Sequence, residues 1–363
     1  MYRDTEPGEL AARLGTPNEP FVLDVREPAE FAAWSIPSAL NIPLGQLAER
    51  MSEVPLDREV VTVCAAGTRS SVAAELLSRS GRHVANLSGG MAGWALVYDS
   101  TSVFLGAVEV VQVRRRAKGC LSYVVGTGDR AFVVDPSLDD EVYRRVADER
   151  GWRITRVFDT HLHADHLSGA RFLAEATGAS LHLNPADTFD FAYEALADGD
   201  RFELPGGITF RVAALHTPGH TRGSSVYVVA DRALLSGDTL FVDSVGRPDL
   251  ADRAEEFAHN LFHSLHDKVL SMPEDTLVFP GHYGESVVVG PDRPVGATLG
   301  ELHRSLAPLS YDEAEFVSWA TARATPRPPK YVEIVQANMG RAGVPVDALR
   351  SLEVGPNRCS VSV

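Results

Sequence analysis

Cysteine is scarce in this chain of 363 residues. There are three, Cys64, Cys120 and Cys359, an odd and widely spaced set that excludes a disulfide framework. Long apolar runs are also missing, and no window reaches the length of a membrane span. The opening residues, Met-Tyr-Arg-Asp-Thr-Glu-Pro, contain no apolar stretch of the kind a secretory signal needs. Excess positive charge is absent: the net charge is −15 and the pI about 5.2, which argues against nucleic acid or an anionic membrane as partner. The basic residues are nearly all arginine, and the one short run, Arg114-Arg115-Arg116, reads as a solvated strand edge. These absences lead us to expect a soluble protein of a reducing cytoplasm, with a possible homo-oligomer. What is present is ordinary globular material, 44% hydrophobic and 23% charged, in a chain long enough for two cores.

The rest is organised around Asp159-Thr-His-Leu-His-Ala-Asp-His-Leu-Ser-Gly169. Four residues of metal-ligand type, His161, His163, Asp165 and His166, follow the β-branched run Ile154 to Phe158, which reads as a buried strand. Such a strand delivers its ligands at the sheet's carboxyl edge, where α/β sheets keep their crevices. Three histidines and an aspartate packed this closely are hard to satisfy in a core without a cation. Three later strand ends repeat the theme. Phe210 to Leu215 leads to His220, Ala233 to Leu235 leads to Asp238, and Thr276 to Phe279 leads to His282. In each a glycine directly precedes the candidate ligand and lets the chain turn.

The N-terminal third reads differently. Strand patterns at Phe21 to Val25, Val60 to Val63 and His83 to Leu87 alternate with helical ones at Pro7 to Leu14, Pro28 to Trp34 and Ser70 to Ser78. Ile42-Pro43-Leu44 reads as a turn into another helix. This alternation predicts a doubly wound parallel sheet. Cys64 follows the second strand and opens Cys64-Ala-Ala-Gly-Thr-Arg69-Ser-Ser71. Small residues and Gly67 let backbone N–H groups turn inward as an anion nest, and the following helix adds its positive end. Both favour the reactive thiolate, and Arg69 supplies a fixed positive charge.

This N-terminal segment resembles the rhodanese (sulfurtransferase) family. The likeness rests on Leu23-Asp24-Val25-Arg26, Glu30-Phe31, Ile36-Pro37-Ser38-Ala39, Asn41-Ile42-Pro43, the Cys64–Arg69 loop and Gly89-Gly90-Met91-Ala92-Gly93-Trp94. Trp34-Ser35-Ile36 departs from the Gly-His-Ile type of sequence usual there. The family's phosphatase relatives place five residues between Cys and Arg; the four here, Ala65 to Thr68, imply a pocket suited to sulfur. By this resemblance Cys64 carries a persulfide, taking sulfane sulfur from thiosulfate or passing it to sulfite.

The ordered ligand set resembles the metallo-β-lactamase fold superfamily, which implies a four-layer α/β/β/α sandwich. Gly119-Cys-Leu-Ser-Tyr123, Val134-Asp-Pro-Ser137, Thr160 to Gly169, Gly237-Asp-Thr-Leu-Phe241 and Gly246-Arg-Pro-Asp249 resemble its persulfide dioxygenase branch. That branch implies one Fe(2+) per chain on His161, His220 and Asp238, with His163, Asp165, His166 and His282 as supporting groups or a second metal seat. The expected substrates are a low-molecular-weight thiol persulfide and O2, giving sulfite and free thiol. Arg247 either binds a carboxylate of the thiol carrier or is a surface-loop arginine without that role. The alternatives are a glyoxalase II-like thioester hydrolase with two Zn(2+) and, as a protein that is not an enzyme, a sulfur-relay module.

The expected domains are 1–98, 108–289 and a helical extension, 290–363, packed on the metal domain. Residues 95–107 read as an apolar connector. Helices are expected near Tyr311 to Arg323 and Tyr331 to Met339, with a break at Pro326 to Pro329. Cys120 reads as structural and Cys359 as an incidental tail thiol. His259, His263 and His266 share a helical pattern, Glu255 to Leu270, but lack a carboxylate motif. His83, His182, His216 and His303 are isolated and read as structural.

Overall fold

The computed structural model describes residues 2–205, 208–249, 253–284, 287, 289–290, 293–323, 330–341, 349 and 352. They divide into two compact units, residues 2–99 with 115–118, and residues 100–114 with those from 119 to 352.

In the first unit the strands are β1 (Arg3–Thr5), β2 (Phe21–Asp24), β3 (Leu40–Asn41), β4 (Val60–Val63) and β5 (Val84–Leu87). The helices are α1 (Pro7–Arg13), α2 (Pro28–Ala33), α3 (Thr68–Arg79) and α4 (Gly90–Trp94). The sheet order is β1-β5-β4-β2-β3 and every neighbour is parallel. Parallel sheets are covered on both faces, so their strands are continuous apolar runs. In β4, Val61 and Val63 pack in a cluster with Leu10, Met91 and Trp94, while Val60 packs in another with Ala73 and Leu77. This is the period-two alternation of side chains across a sheet. The helix expected after Ile42-Pro43-Leu44 is only a pair of 3₁₀ turns, Leu44–Gln46 and Met51–Glu53. Gly45 and Pro55 deny that stretch an α-helix. The short edge strand β1 is not apparent from sequence pattern.

The second unit begins with β6 (Tyr98–Leu105), β7 (Val108–Arg115), β8 (Cys120–Thr127), β9 (Arg130–Val134), α5 (Asp140–Asp148), β10 (Arg153–Phe158), α6 (Ala170–Thr177), β11 (Ser180–Leu183) and β12 (Glu194–Ala195). It continues with β13 (Arg201–Leu204), β14 (Ile208–His216), β15 (Ser225–Val229), β16 (Ala233–Gly237), α7 (Ala254–His263), β17 (Leu277–Pro280), β18 (Ala297–Thr298), α8 (Leu299–Ser305), α9 (Glu313–Ala322) and α10 (Tyr331–Asn338). Residues 95–107, read as a connector, therefore carry a strand. Two sheets form, ordered β12-β11-β10-β9-β8-β7-β6 and β13-β14-β15-β16-β17-β18. Their facing sides share one core of Val110, Tyr123, Phe132 and Phe158 with Tyr227, Leu235 and Phe279. The outer face of the second sheet packs Val228, Leu234 and Val278 against Ala258, Leu261, Leu302 and Phe316 of the helices. On the first sheet, α5 and α6 both pack against β10. The expected α/β/β/α sandwich is present, with the parallel-sheet unit ahead of it in sequence.

Four strand ends set the site. The first sheet contributes the end of β10, and the second those of β14, β16 and β17. Among the described residues no helix is long and apolar enough to cross a membrane.

Candidate metal centre and sulfur site

His161, His220 and Asp238 meet at one point. All three are buried, and one ligand atom from each lies within 4.8 Å of the others. Asp238 Oδ2 is 3.7 Å from His161 Nε2 and 3.5 Å from His220 Nε2, beyond hydrogen-bond reach. All three atoms are buried and lack a hydrogen-bond partner. Three such atoms aimed at one point cost free energy unless a cation joins them, so the donor set fits a metal.

The opposite ring nitrogens explain why these are the free ones. Thr160 Oγ1 donates to Asp135 Oδ2 at 2.9 Å, so His161 Nδ1 must carry the proton it gives to Thr160 Oγ1, also at 2.9 Å. His220 Nδ1 donates to the Arg247 carbonyl at 3.0 Å. Each histidine is thereby held in the tautomer that leaves a lone pair on Nε2. Burial pushes the pKa of both down, and for His161 the neighbouring His163 and His220 add to it. Burial pushes Asp238 up, but His282 and His220 outweigh it and hold the carboxyl below its ordinary value. The centre therefore presents two neutral imidazoles and one carboxylate.

The other four residues have carboxylate or histidine neighbours, while His163 Nδ1 and His282 Nε2 are buried without a hydrogen-bond partner. His163 Nε2 sits 3.2 Å from Asp135 Oδ1 and 3.8 Å from Asp159 Oδ1. His282 bridges two carboxylates, with Nδ1 2.7 Å from Asp238 Oδ1 and Nε2 3.0 Å from Asp165 Oδ2. His166 Nδ1 is 3.0 Å from Asp165 Oδ1. Burial pushes His163 and His282 down, but Asp135 in one case and Asp165 with Asp238 in the other carry them well above the ordinary value. Cys120, read as structural, has its sulfur in the group formed by Asp165, His166 and His282. An antiparallel bridge between Cys120 and His282 puts it there.

Sequence reasoning missed the residues that hold the loops. Asp187 is buried; its carboxylate accepts from Leu162 N and Thr221 Oγ1 on one oxygen and Gly223 N on the other, all at 2.9 Å. It ties the loop of His161 to the loop of His220. Burial raises its pKa against these hydrogen bonds. Asp135 stands at φ 51, unusual for a residue with a side chain, and reaches across to Thr160 N at 2.6 Å. The glycines before the ligands differ in purpose. Gly219 and Gly237 have positive φ, whereas Gly281 is needed for space, because a Cβ there would lie 2.6 Å from Asp238 Oδ1. Arg247 is not an open carboxylate clamp. It is 1% exposed, and its Nε and Nη2 donate to Asp249 at 2.7 Å each.

The sulfur site is built from backbone. Cys64 follows β4, and α3 starts four residues later behind Gly67, whose φ is 99. Gly67 N–H points at the Cys64 sulfur at 3.1 Å, and Ser70 Oγ lies 3.3 Å away. Burial pushes the thiol up, but Ser70 and the N–H groups of Ala66 and Gly67 outweigh it, and the net pKa is lowered. Met91 N and Ala92 N donate to the carbonyls of Cys64 and Ala65 at 2.8 and 3.0 Å. Gly90 makes that contact possible, since a Cβ there would sit 2.2 Å from Cys64 O. Arg69 is expected as a fixed positive charge. It makes two 2.8 Å hydrogen bonds to Glu30, whose carboxyl is lowered to about 2 chiefly by that guanidinium. Trp34, in the departing stretch, donates its indole N–H to Ala117 O at 3.0 Å.

The remaining histidines lie elsewhere. His259 and His263 face Glu313 at the surface, and His266 stacks on Phe262. His182 stacks on Phe158, and His83 is exposed. Cys359 lies outside the described residues.

Comparison with known proteins agrees with this layout. The Metallo-beta-lactamase superfamily model matches residues 115–282, and the Rhodanese-like domain model matches 6–96. An uncharacterized protein of Mycobacterium tuberculosis is 32% identical over 51% of this chain and 95% of its own length. The mitochondrial persulfide dioxygenase ETHE1 of Bos taurus is 28% identical over 66% of this chain and 91% of its own. A hydroxyacylglutathione hydrolase of Methylobacillus flagellatus is 34% identical over 42% of this chain and 57% of its own. The crystal structure of ETHE1 from Myxococcus xanthus is similar with a TM-score of 0.57 at 26% identity, covering 64% of this chain and 99% of that one. The chain therefore belongs to the metallo-beta-lactamase superfamily and carries a rhodanese-like domain ahead of its metallo-beta-lactamase domain.

Proposed function

We propose that this chain is a persulfide dioxygenase coupled to a sulfurtransferase, with one Fe(2+) held by His161, His220 and Asp238. Two histidines and one carboxylate form the ligand set of non-haem iron oxygenases, and the iron when bound supplies open positions and redox chemistry for O2 and a sulfur substrate. The reaction balances: a persulfide, O2 and water give the thiol, sulfite and two protons. The S–S bond breaks, the terminal sulfur is oxidised and dioxygen is reduced. Thr160 and the Arg247 carbonyl keep the imidazole protons on Nδ1, so neither histidine must lose a proton to bind. The observation that carries this reading is the donor set at the first group. The three atoms facing one another at His161, His220 and Asp238 are buried without a hydrogen-bond partner, and they are two imidazole nitrogens and one carboxylate oxygen.

Cys64 works on the same sulfur pool. Its thiolate attacks the outer sulfur of thiosulfate, the S–S bond breaks and sulfite leaves; the reverse direction passes sulfur to sulfite. The test is oxygen uptake by iron-loaded protein given glutathione persulfide. Sulfite appearing with the oxygen consumed supports the reading, and no uptake with any low-molecular-weight persulfide sinks it.

A two-metal thioester hydrolase is the second reading. The grouping of Cys120, Asp165, His166 and His282 beside the first set favours it, as does the likeness to a hydroxyacylglutathione hydrolase. His163 Nδ1 and His282 Nε2, both buried without a hydrogen-bond partner, are available to it while His163 Nε2 stays on Asp135. Two metals per chain with thioester turnover under argon would select it.

A further inference from the structure

The loop 159–169 is also held by a helix that no ligand motif announces. Asn338, at the end of α10, is 9% exposed. Its Nδ2 donates to the main-chain carbonyls of His163 and His166, each at 2.9 Å. Its Oδ1 accepts from Ser168 N, also at 2.9 Å. Both amide donors and one acceptor are thus spent on one loop. The helix is itself anchored. Ile334, one turn earlier on the same face, is fully buried with Leu138 and Leu167. The carbonyl of Met339 accepts from Asp190 N at 2.8 Å. This helix lies beyond the residues matched by the metallo-beta-lactamase model, which end at 282.

We propose that Asn338 is a positioning residue of the metal centre, and that α10 completes the centre from outside the matched region. The two carbonyls it holds belong to His163 and His166, which bracket Asp165. Fixing them fixes the spacing of the whole His161–His166 segment. Asp187 grips the same segment at Leu162 N, so the loop is held at two points. Ligand atoms must be held to fractions of an ångström for tight metal capture, and partners of this kind are worth about 10–100-fold in affinity. The proposal rests on the reading that His161, His220 and Asp238 hold a metal.

The test is cobalt(II) titration of the metal-free full-length chain, reading affinity and the visible d–d spectrum. Asn338→Asp keeps the size and the acceptor for Ser168 but loses both donors. It is expected to weaken cobalt binding about 10-fold or more and to alter the spectrum. Ile334→Val loosens the same helix without touching the loop's carbonyls. It is expected to lower the melting temperature while leaving affinity and spectrum as in the wild type. Asn338→Asp with wild-type affinity and spectrum overturns the proposal, and so does an equal loss in Ile334→Val, which would make α10 mere packing. A wild-type chain that takes up no cobalt fails differently, because it removes the metal reading beneath.

Discussion

At Cys64 a negative charge is met by dipoles: the Gly67 N–H, the Ser70 hydroxyl and the start of α3. The formal charges nearby, on Arg69 and Glu30, are paired with each other. At the metal centre the balance is made by formal charges, with Asp135, Asp165 and Asp238 set against His163 and His282 in a buried space. Dipoles fixed in the main chain hold their geometry whether or not a ligand is present. A buried set of charges and lone pairs is satisfied only when its cation is present. The sulfur site should therefore be indifferent to metal and the other entirely dependent on it.

The largest effect that would break this contrast comes from the ligands themselves. Asp238→Asn removes the negative member of the three. It is expected to reduce metal content and persulfide-dependent oxygen uptake by more than about 100-fold, since outer partners alone are worth 10–100-fold. Sulfur transfer from thiosulfate to cyanide should stay within about twofold, because Cys64 is held by its own backbone. Cys64→Ser should give the reverse pattern. If either substitution, or stripping the metal with a chelator, removed both activities, the two sites would not be independent.

Next comes the loop clamp. Asp187→Asn exchanges an acceptor for a donor where three donors converge. Metal affinity should fall about 10–100-fold by competition titration, with the alkylation rate of Cys64 unchanged. An unaltered affinity would mean that the loops of His161 and His220 hold their spacing without it.

A smaller effect separates dipoles from burial at Cys64. The lowered thiol pKa means that the rate of alkylation by iodoacetamide should reach its midpoint below the pH of an ordinary cysteine. Ser70→Ala removes the hydroxyl and leaves the burial, so the midpoint should move up. A midpoint that stays put would assign the activation to the backbone N–H groups alone.

These groups differ in how far they could be read from sequence. The seven candidate ligands were legible because each closes an apolar strand, and the three later ones also follow a glycine. The parallel sheet was legible because buried strands such as Val60–Val63 are β-branched throughout and alternate with helical patterns. The supports were not. Asp135 reads as the stop of a strand, and its role depends on a carboxylate that reaches 25 residues along the chain to Thr160. Asn338 acts on main-chain groups and Asp187 on two main-chain N–H groups and the Thr221 hydroxyl, and main-chain partners carry no sequence signature. Cys120 reads as structural because it stands at the start of a strand, and the bridge to His282 that brings it to the metal side is tertiary. Arg247 was legible only as a candidate: its pairing with Asp249, two residues on, and its burial are features of the folded loop. The strand β6 was read as an apolar connector because Asp99 to Ser102 interrupts its apolar residues with a polar run.

The smallest effect concerns an ion pair beside the sulfur site, Glu30 with Arg69. Glu30 and Arg69 are each more than a third exposed, so solvent screens most of their attraction. The Glu30 carboxyl is lowered from 4.5 to about 2, so its contribution to stability is present above the ordinary carboxylate range and is lost as pH falls through about 2. Glu30→Gln should therefore cost only about 0.2–1 kcal/mol at pH 7 by denaturant titration, and the difference from wild type should shrink in acid. The same substitution leaves Arg69 without the carboxylate that balances it, and the guanidinium already interacts with Cys64. The alkylation midpoint of Cys64 should move down, opposite to Ser70→Ala. If the midpoint instead held still, the charges around Cys64 would be spectators, and dipoles alone would account for its reactivity.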